Sequence, residues 1–358
     1  MAFPVERLID WFQKNKRDLP WRNTKNMYKT WLSEVMLQQT QVTTVIPYYQ
    51  RFLQQFPNVK KLAQADSEAV LKLWEGLGYY NRCLNLHKAA RLIESRFDGE
   101  IPETPEEFKE LPGVGPYILA AVMSMARGFP LPAVDGNVIR VYCRFKGIAD
   151  DARRPAVKNR ITKELGKIIP IKYPGDFNEA MMELGALICL PRNPRCGSCP
   201  LSRDCVAKLT SRTGLLPFKS VRKEVPRYNV SIAVILEGGK FYIRKRPPGG
   251  HLGGMWEFPG GKRKGKESPE QTLIRECREE LGAEVRIIEK LSNVRHAYSH
   301  FKIDMDVFLC KLPYKKDISA LPQEQPFRWI TIDQLHEFPF PGANHKFFPA
   351  LKVFLKGI

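Results

Sequence analysis

The sequence predicts a multidomain chain: an all-α domain over residues 1–206, a linker at 207–226 and an α/β domain over residues 227–358. Three observations predict it. Helical periodicity and helix punctuation run through the first part. Past Arg227, short alternating apolar runs replace them. Between lies KLTSRTGLLPFKSVRKEVPRY, with many Lys and Arg, two prolines and few apolar anchors.

At 358 residues the chain is long enough for two ordinary domains, and 43% hydrophobic residues are enough to build their cores. In the first part, AVLKLWEGLGYYNRCLNLHKAARLIESRF puts Leu71, Trp74, Leu84 and Leu86 on buried helical faces. Asp66-Ser67 and Thr104-Pro105 are helix-start signals. In the second part, VSIAVILE, the turn Gly238-Gly239 and KFYIRKR read as a hairpin. DMDVFLCKL and PFRWITI read as further strands, and PEQTLIRECREELG as a helix among them.

Lys and Arg number 57 against 38 Asp and Glu, a net charge of +19. That excess points to a polyanion, nucleic acid first, with a merely solvated basic surface as the alternative. The N-terminus does not read as a signal peptide, and no apolar run is long enough to span a membrane. The expected location is the cytoplasm, on the nucleoid in a bacterium, with no membrane partner. Eight cysteines there do not imply disulfides. Cys83, Cys143, Cys277 and Cys310 are scattered and read as packing residues. Cys189, Cys196, Cys199 and Cys205 are spaced C-x6-C-x2-C-x5-C in a loop rich in Pro and Arg. Four such thiolates suit a tetrahedral metal or a four-iron cluster. Spacing alone leaves zinc open, although the first gap differs from common zinc-finger spacings. Arg192 and Arg195 in the loop could meet phosphates.

This spacing resembles the [4Fe–4S] loop of the endonuclease III and MutY-type glycosylases, and the resemblance implies a structural, DNA-sensing cluster. LPGVGPY at 111–117 looks like the hairpin of the helix-hairpin-helix motif. Gly113 and Gly115 would allow a tight turn and close backbone approach, and Pro116 suits a first helical position. Free amides there can cradle a phosphate, with a monovalent cation as a candidate bridge. Asp135, in AVDGNVIRV, suits a helix N-cap. In the resembling family this aspartate faces the sugar, where a carboxylate can stabilise an oxocarbenium ion or trap it covalently.

SEVMLQQTQV at 33–42 matches the MutY pattern. By resemblance Glu34 is the general acid, since protonating a ring nitrogen lets adenine leave, and Gln39 enters the base stack. Bifunctional relatives carry an imine-forming lysine after the hairpin; here stands Tyr117, which implies a monofunctional glycosylase using water. The resemblance assigns the adenine pocket to Arg17, Leu19, Trp21, Arg22 and Glu183, the last as acceptor for the exocyclic amine. Asn137 would orient Glu34, Asp135 or water. Tyr79, in GLGYY, would wedge beside 8-oxoguanine.

In the second domain Gly261, Glu267, Arg275, Glu276, Glu279, Glu280 and Gly282 fit the skeleton of a Nudix box. Glu276, Glu279 and Glu280 fall on one helical face, where clustered carboxylates suit magnesium. GGMWEFPGGK resembles MutT-type Nudix domains. In MutY-type proteins this domain recognises 8-oxoguanine, and its box is usually degraded. The full acidic set here leaves two readings: retention without activity, which we favour, or hydrolysis of an oxidised nucleoside triphosphate as a second reaction. RHAYSHFKI matches the family's recognition loop, with Tyr298, Ser299 and His300 at its centre.

The resemblance thus implies an all-α helix-hairpin-helix glycosylase domain with a [4Fe–4S] loop and a C-terminal α/β Nudix-like domain. The expected activity is hydrolysis of adenine from a mispair with 8-oxoguanine or guanine in double-stranded DNA, by a monomer. A thymine-mismatch glycosylase on the same scaffold is the main alternative.

Overall fold

The computed structural model describes residues 2–22, 24–221, 224–247, 249–250, 252–312 and 325–356. The chain divides into two compact units, residues 1–64 with 82–222, and residues 65–81 with 223–358. The segment 65–81 is helical in sequence, yet it clusters with the second unit.

The described part of the first unit contains helices and no strand. Helix Met27–Leu37 is buried on nearly every side, as its mostly apolar sequence requires. Asn26 starts it by accepting a hydrogen bond from the Lys29 amide at 3.0 Å. A second core gathers Leu8, Phe12, Val138, Tyr142, Phe145, Phe177, Met181 and Leu184 from three helices, Val5–Asn15, Gly136–Lys146 and Pro174–Leu187. Each such side chain contributes about 1.5–3 kcal/mol on burial. The scattered cysteines Cys83, Cys143, Cys277 and Cys310 are all buried, as expected of packing residues.

The second unit is built on a mixed sheet of seven strands among the described residues: β1 (Arg227–Glu237), β2 (Lys240–Lys245), β3 (Trp256–Glu257), β4 (Gly260–Lys262), β5 (Arg286–Ala297), β6 (Lys302–Lys311) and β7 (Phe327–Ile330). The order is β3-β2-β1-β6-β5, with β4 also pairing β1 and β7 pairing β2. Strands β1 and β6 are parallel, Ile232 opposite Val307, and the other pairs are antiparallel. The expected hairpin is present: Glu237 faces Lys240 across Gly238-Gly239, both with positive φ. Ile232, Val234, Val307 and Leu309 pack toward Phe340, Phe347 and Leu351. Ala233, Ile235, Phe308 and Cys310 pack toward Leu273, Cys277 and Leu281 of helix Pro269–Leu281. Cover on both faces explains why β1 and β6 read as nearly continuous apolar runs.

Candidate active site

A cavity of about 470 Å³ in the first unit brings together Glu34, Tyr117, Asp135, Asn137, Arg17, Leu19, Trp21, Arg22 and Glu183. Glu34 lies on the buried helix Met27–Leu37 and is only 5% exposed. The Tyr117 hydroxyl donates to its Oε2 at 2.6 Å. Burial pushes the Glu34 carboxyl up to about 7; the Tyr117 hydrogen bond opposes this, and the charges of Glu179 and Asp135 add to it. A carboxyl so poised holds its proton near neutrality and can donate it.

Helix Met27–Leu37 ends on Arg82, whose guanidinium donates to the carbonyls of Val35 and Met36 at 2.8 Å and of Gln38 at 2.6 Å. A cation on these carbonyls satisfies the helix end and suits its dipole. The chain then turns through Gln39, exposed and with φ of 59°, outside the cavity wall.

Asp135 caps helix Gly136–Lys146, accepting from the Val138 amide at 2.7 Å, and it also lines the cavity. Capping and a place in the cavity wall therefore coexist. Asn137 donates to the other Asp135 oxygen at 2.8 Å and accepts from Arg140 at 2.8 Å. Arg140 also donates to the carbonyls of Gly185 and Cys189, both at 2.7 Å. Before Asp135, the irregular stretch is held by buried Asn178, which accepts from the Ala133 amide at 2.9 Å and donates to Leu131 O at 2.8 Å and Ser124 Oγ at 2.7 Å.

Gly185 lies against Asn137: a Cβ there would meet the Asn137 Cβ at 2.5 Å. Replacing Gly185 with alanine is expected to destabilise the protein by about 1–3 kcal/mol through overpacking and to lower activity by displacing Asn137. Thermal unfolding and single-turnover rates on the same sample check both effects.

Glu183 is not a free acceptor. Its Oε1 takes hydrogen bonds from the Arg17 amide and Nε, both at 2.9 Å, and its Oε2 from Arg17 Nη2 at 2.7 Å and Arg22 Nη2 at 3.2 Å. Burial alone would raise its carboxyl, but these arginines hold it down at about 2. Any ligand reading this wall meets an ionised Glu183 already bound to two arginines. Glu179, one turn earlier, pairs with Arg22 at 3.1 Å and lines the same cavity. Leu19 and Trp21 are buried core residues as well as wall, and Trp21 packs edge-on against Tyr49.

The hairpin before Tyr117 lies outside the cavity wall. Gly113 has φ of 82°, and a Cβ there would collide with Asn85 at 2.8 Å, so glycine is required. Gly115 adopts no left-handed backbone. Its φ is −85° and ψ 176°, ordinary for any residue, and the space where a Cβ would stand is open. Pro116 occupies the first helical position, as expected.

Cys189, Cys196, Cys199 and Cys205 line one pocket. Among the described residues no three His, Cys, Asp or Glu side chains converge as ligands of a single ion. Four thiols around one pocket are the donor set that an iron–sulfur cluster or a zinc ion would need. Arg144, 2% exposed, donates to Cys189 Sγ at 3.3 Å and to Leu190 O at 2.6 Å. A buried guanidinium beside these sulfurs would offset the negative charge of thiolates holding a metal group. Arg192 and Arg195 are exposed.

In the second unit the acidic helix face is occupied by arginines. Arg275 binds Glu267 at 2.7 Å, Glu276 at 2.7 Å and Glu279 at 3.1 Å. Glu280 pairs with Arg244 and accepts from the Gly260 amide at 2.9 Å. Tyr298 to Phe301 form the turn between β5 and β6, closed by Tyr298 N to Phe301 O at 2.8 Å, with Ser299 and His300 exposed at its tip. Burial raises the Tyr298 hydroxyl above its usual range, and Arg246 and the Ala343 amide oppose this. Tyr79, 40% exposed, lies on the segment that clusters with this unit.

Arg82, Arg140, Arg144, Asn178, Glu179 and Gly185 were not singled out by sequence. Only Glu179 carried a signal, as the acid one helical turn before Glu183.

Comparison with known proteins gives this arrangement a class. Residues 32–167 match the HhH-GPD superfamily of base excision DNA repair proteins, and residues 231–350 match the NUDIX domain. Among solved structures, a thermostable thymine-DNA glycosylase aligns over 57% of this chain and 95% of its own at 27% identity, TM-score 0.52. Endonuclease III in a trapped covalent intermediate with DNA aligns over 58% of this chain and 94% of its own at 25% identity, TM-score 0.50. The adenine DNA glycosylase of Buchnera aphidicola (subsp. Acyrthosiphon pisum) is 33% identical over 86% of this chain and 86% of its own, and that of Homo sapiens 33% over 95% and 72%. The chain belongs to the adenine DNA glycosylase family.

Proposed function

We propose that this protein hydrolyses the N-glycosidic bond of adenine mispaired with 8-oxoguanine or guanine in duplex DNA, as a step of base excision repair. The observation that carries this reading is the meeting of Glu34, held by Tyr117, with the Asp135–Asn137 pair in one cavity walled by Arg17, Arg22 and Glu183. The adenine is extruded into that cavity. Glu34 delivers a proton to a ring nitrogen, which makes the base a neutral leaving group. Asp135 stabilises the positive charge that develops on the sugar, and water completes hydrolysis. Tyr117 has no amine to form an imine, so strand cleavage is not part of the reaction.

On this reading Tyr298, Ser299 and His300 recognise 8-oxoguanine, Tyr79 wedges beside it, and Gln39 fills the stack. Gly113 and Gly115 offer backbone to a phosphate, through a monovalent cation at the hairpin. We assign Cys189, Cys196, Cys199 and Cys205 to a [4Fe–4S] cluster, which when bound orders the loop and presents Arg192 and Arg195 to DNA. Analysis of the purified protein should find about four iron atoms and matching acid-labile sulfide per chain. We read the Nudix box as retained without hydrolase activity or magnesium, because Arg244 and Arg275 already neutralise its carboxylates. The domain limits 1–206, 207–226 and 227–358 remain our division by role.

The deciding assay uses duplexes with adenine opposite 8-oxoguanine, adenine opposite guanine, and thymine opposite guanine, followed by alkali. Breaks at adenine in the first two are expected, with no borohydride-trapped adduct. An intact adenine strand opposite 8-oxoguanine would overturn the reading, and cleavage at thymine would move it to the alternative.

A further inference from the structure

The loop that carries Tyr79 is tied to the same strap that supports the 298–301 turn. All the groups involved belong to the second unit, residues 65–81 with 223–358. Helix Ser67–Trp74 ends at Glu75, a side chain only 13% exposed. Glu75 Oε1 accepts from the Phe340 amide at 2.7 Å and pairs with His345 Nε2 at 2.9 Å. Lys72 binds Glu75 and donates to Phe338 O at 3.0 Å. Residues 338–345 are thus bound at three points by two neighbouring side chains. Their position is fixed independently from below, since Phe340 is fully buried and stacks on Phe258 at 5.7 Å. Between Phe340 and His345 lies Gly342, where a Cβ would stand 3.6 Å from the His296 ring. His296 in turn packs edge-on against Tyr298 at 4.6 Å.

Past Glu75 the chain is locked on itself. The Trp74 indole donates to Gly78 O at 3.1 Å, and the Gly76 amide donates to the Tyr80 hydroxyl at 3.1 Å. Gly76, Gly78 and Tyr79 all have positive φ, 91°, 76° and 51°. A tyrosine in that region is strained, and strain of this kind persists only where surrounding contacts impose it. Glu75 is the last side chain before the strained loop, and it bonds to the strap at Phe340 and His345.

We propose that Glu75 is a positioning residue for Tyr79, and that the strap 338–345 joins the 76–80 loop and the 298–301 turn into one surface that reads the base opposite the adenine. This deepens the function proposed above and rests on its assignment of Tyr79. On this proposal the wedge is an outlying part of the second unit. Its setting depends on an ion pair and an amide hydrogen bond made more than two hundred residues away in sequence.

The test is a double-mutant cycle on the full-length protein. Affinity is measured for a duplex carrying a non-hydrolysable 2′-fluoro adenosine opposite 8-oxoguanine, and for the same duplex with guanine there. Glu75→Ala should weaken binding opposite 8-oxoguanine by about 5–10-fold, and by less than about 2-fold in a Tyr79→Ala background. Glu75→Gln, whose amide oxygen still accepts from Phe340, should recover most of the loss. His345→Ala, which leaves the Phe340 bond, should fall between. Amide exchange at 76–80 should quicken in Glu75→Ala and not in Glu75→Gln. Additive losses from Glu75→Ala and Tyr79→Ala would overturn the positioning role, as would unchanged affinity in Glu75→Ala. If Tyr79→Ala itself binds like the parent, the wedge assignment falls, and the role of Glu75 with it. The alkali assay above stands or falls separately.

Discussion

Glu34→Gln is expected to bind mispaired DNA like the parent and to excise adenine about 10²- to 10⁴-fold more slowly, the range a positioned general acid supplies. Glutamine is nearly isosteric and still accepts from Tyr117, so the cavity keeps its shape and only the mobile proton is lost. The parent's rate should also depend on pH in one direction. In the proposed role the acid form is the active one, and burial raises its pKa to about 7. Excision should therefore fall as pH rises through about 7, a limb absent from the residual activity of Glu34→Gln. Stability follows the same sign. A carboxyl whose folded pKa is raised contributes stability below its unfolded value, near 4.3, and loses it as pH climbs to the folded value. Above that, an ionised buried Glu34 lowers stability by up to about 3 kcal/mol. The glutamine variant should thus unfold at a higher temperature than the parent at pH 8 and at a similar one at pH 4. Parallel thermal melts at the two pH values and single-turnover rates provide the check. Unchanged turnover would remove Glu34 from the acid role.

Asp135→Asn separates two roles that share one side chain. Asparagine is as good an N-cap as aspartate, so the bond to the Val138 amide survives; its NH₂ then faces the Asn137 donor that the second oxygen accepted from, which should cost about 1–3 kcal/mol of stability. The negative charge does not survive. Without it the developing sugar cation loses its stabiliser, and excision should drop by on the order of 10²- to 10³-fold or more. Fast turnover in a well-folded Asp135→Asn protein would reduce Asp135 to a cap. Asp135→Ala is the control: it removes both roles, and its melting temperature should fall as well.

The parts of the fold that could be read in sequence are those whose signal is local. The Gly238-Gly239 hairpin and the helix Pro269–Leu281, with Ser268 and Gln271 bonded reciprocally at its start, both carry such signals. Strand β5 was not legible. It is an edge strand with mostly exposed side chains, and its pairing with β6 slips between Ile287 and Glu289 and again between Lys290 and Ser292, which breaks the alternation that marks a strand. The allegiance of residues 65–81 was equally invisible, since helix punctuation says nothing about which body a helix packs on.

At the site, the motif residues Glu34, Tyr117, Asp135 and Asn137 were legible because the family pattern fixes their neighbours. The arginines that brace the surrounding backbone were not. Arg82, Arg140 and Arg144 spend their donors mainly on backbone carbonyls of distant segments. Carbonyls are present in every residue, so such bonds leave no spacing to find. Glu183 shows the reverse: its identity was legible, but not that two arginines already occupy it.

Asn178 gives that hidden scaffolding a sharp chemical form. A side-chain amide has one acceptor end and one donor end, and here the first takes the Ala133 amide while the second serves Leu131 O and Ser124 Oγ. Aspartate has the same outline and no donor. Exchanging a single NH₂ for an oxygen would set a carboxylate against the Leu131 carbonyl, in a place water hardly reaches. The stretch leading to Asp135 has no ladder of its own, so it takes its shape from an atom-level match in the helix behind it. One heavy atom on a residue outside the cavity thereby governs where the Asp135 carboxylate stands.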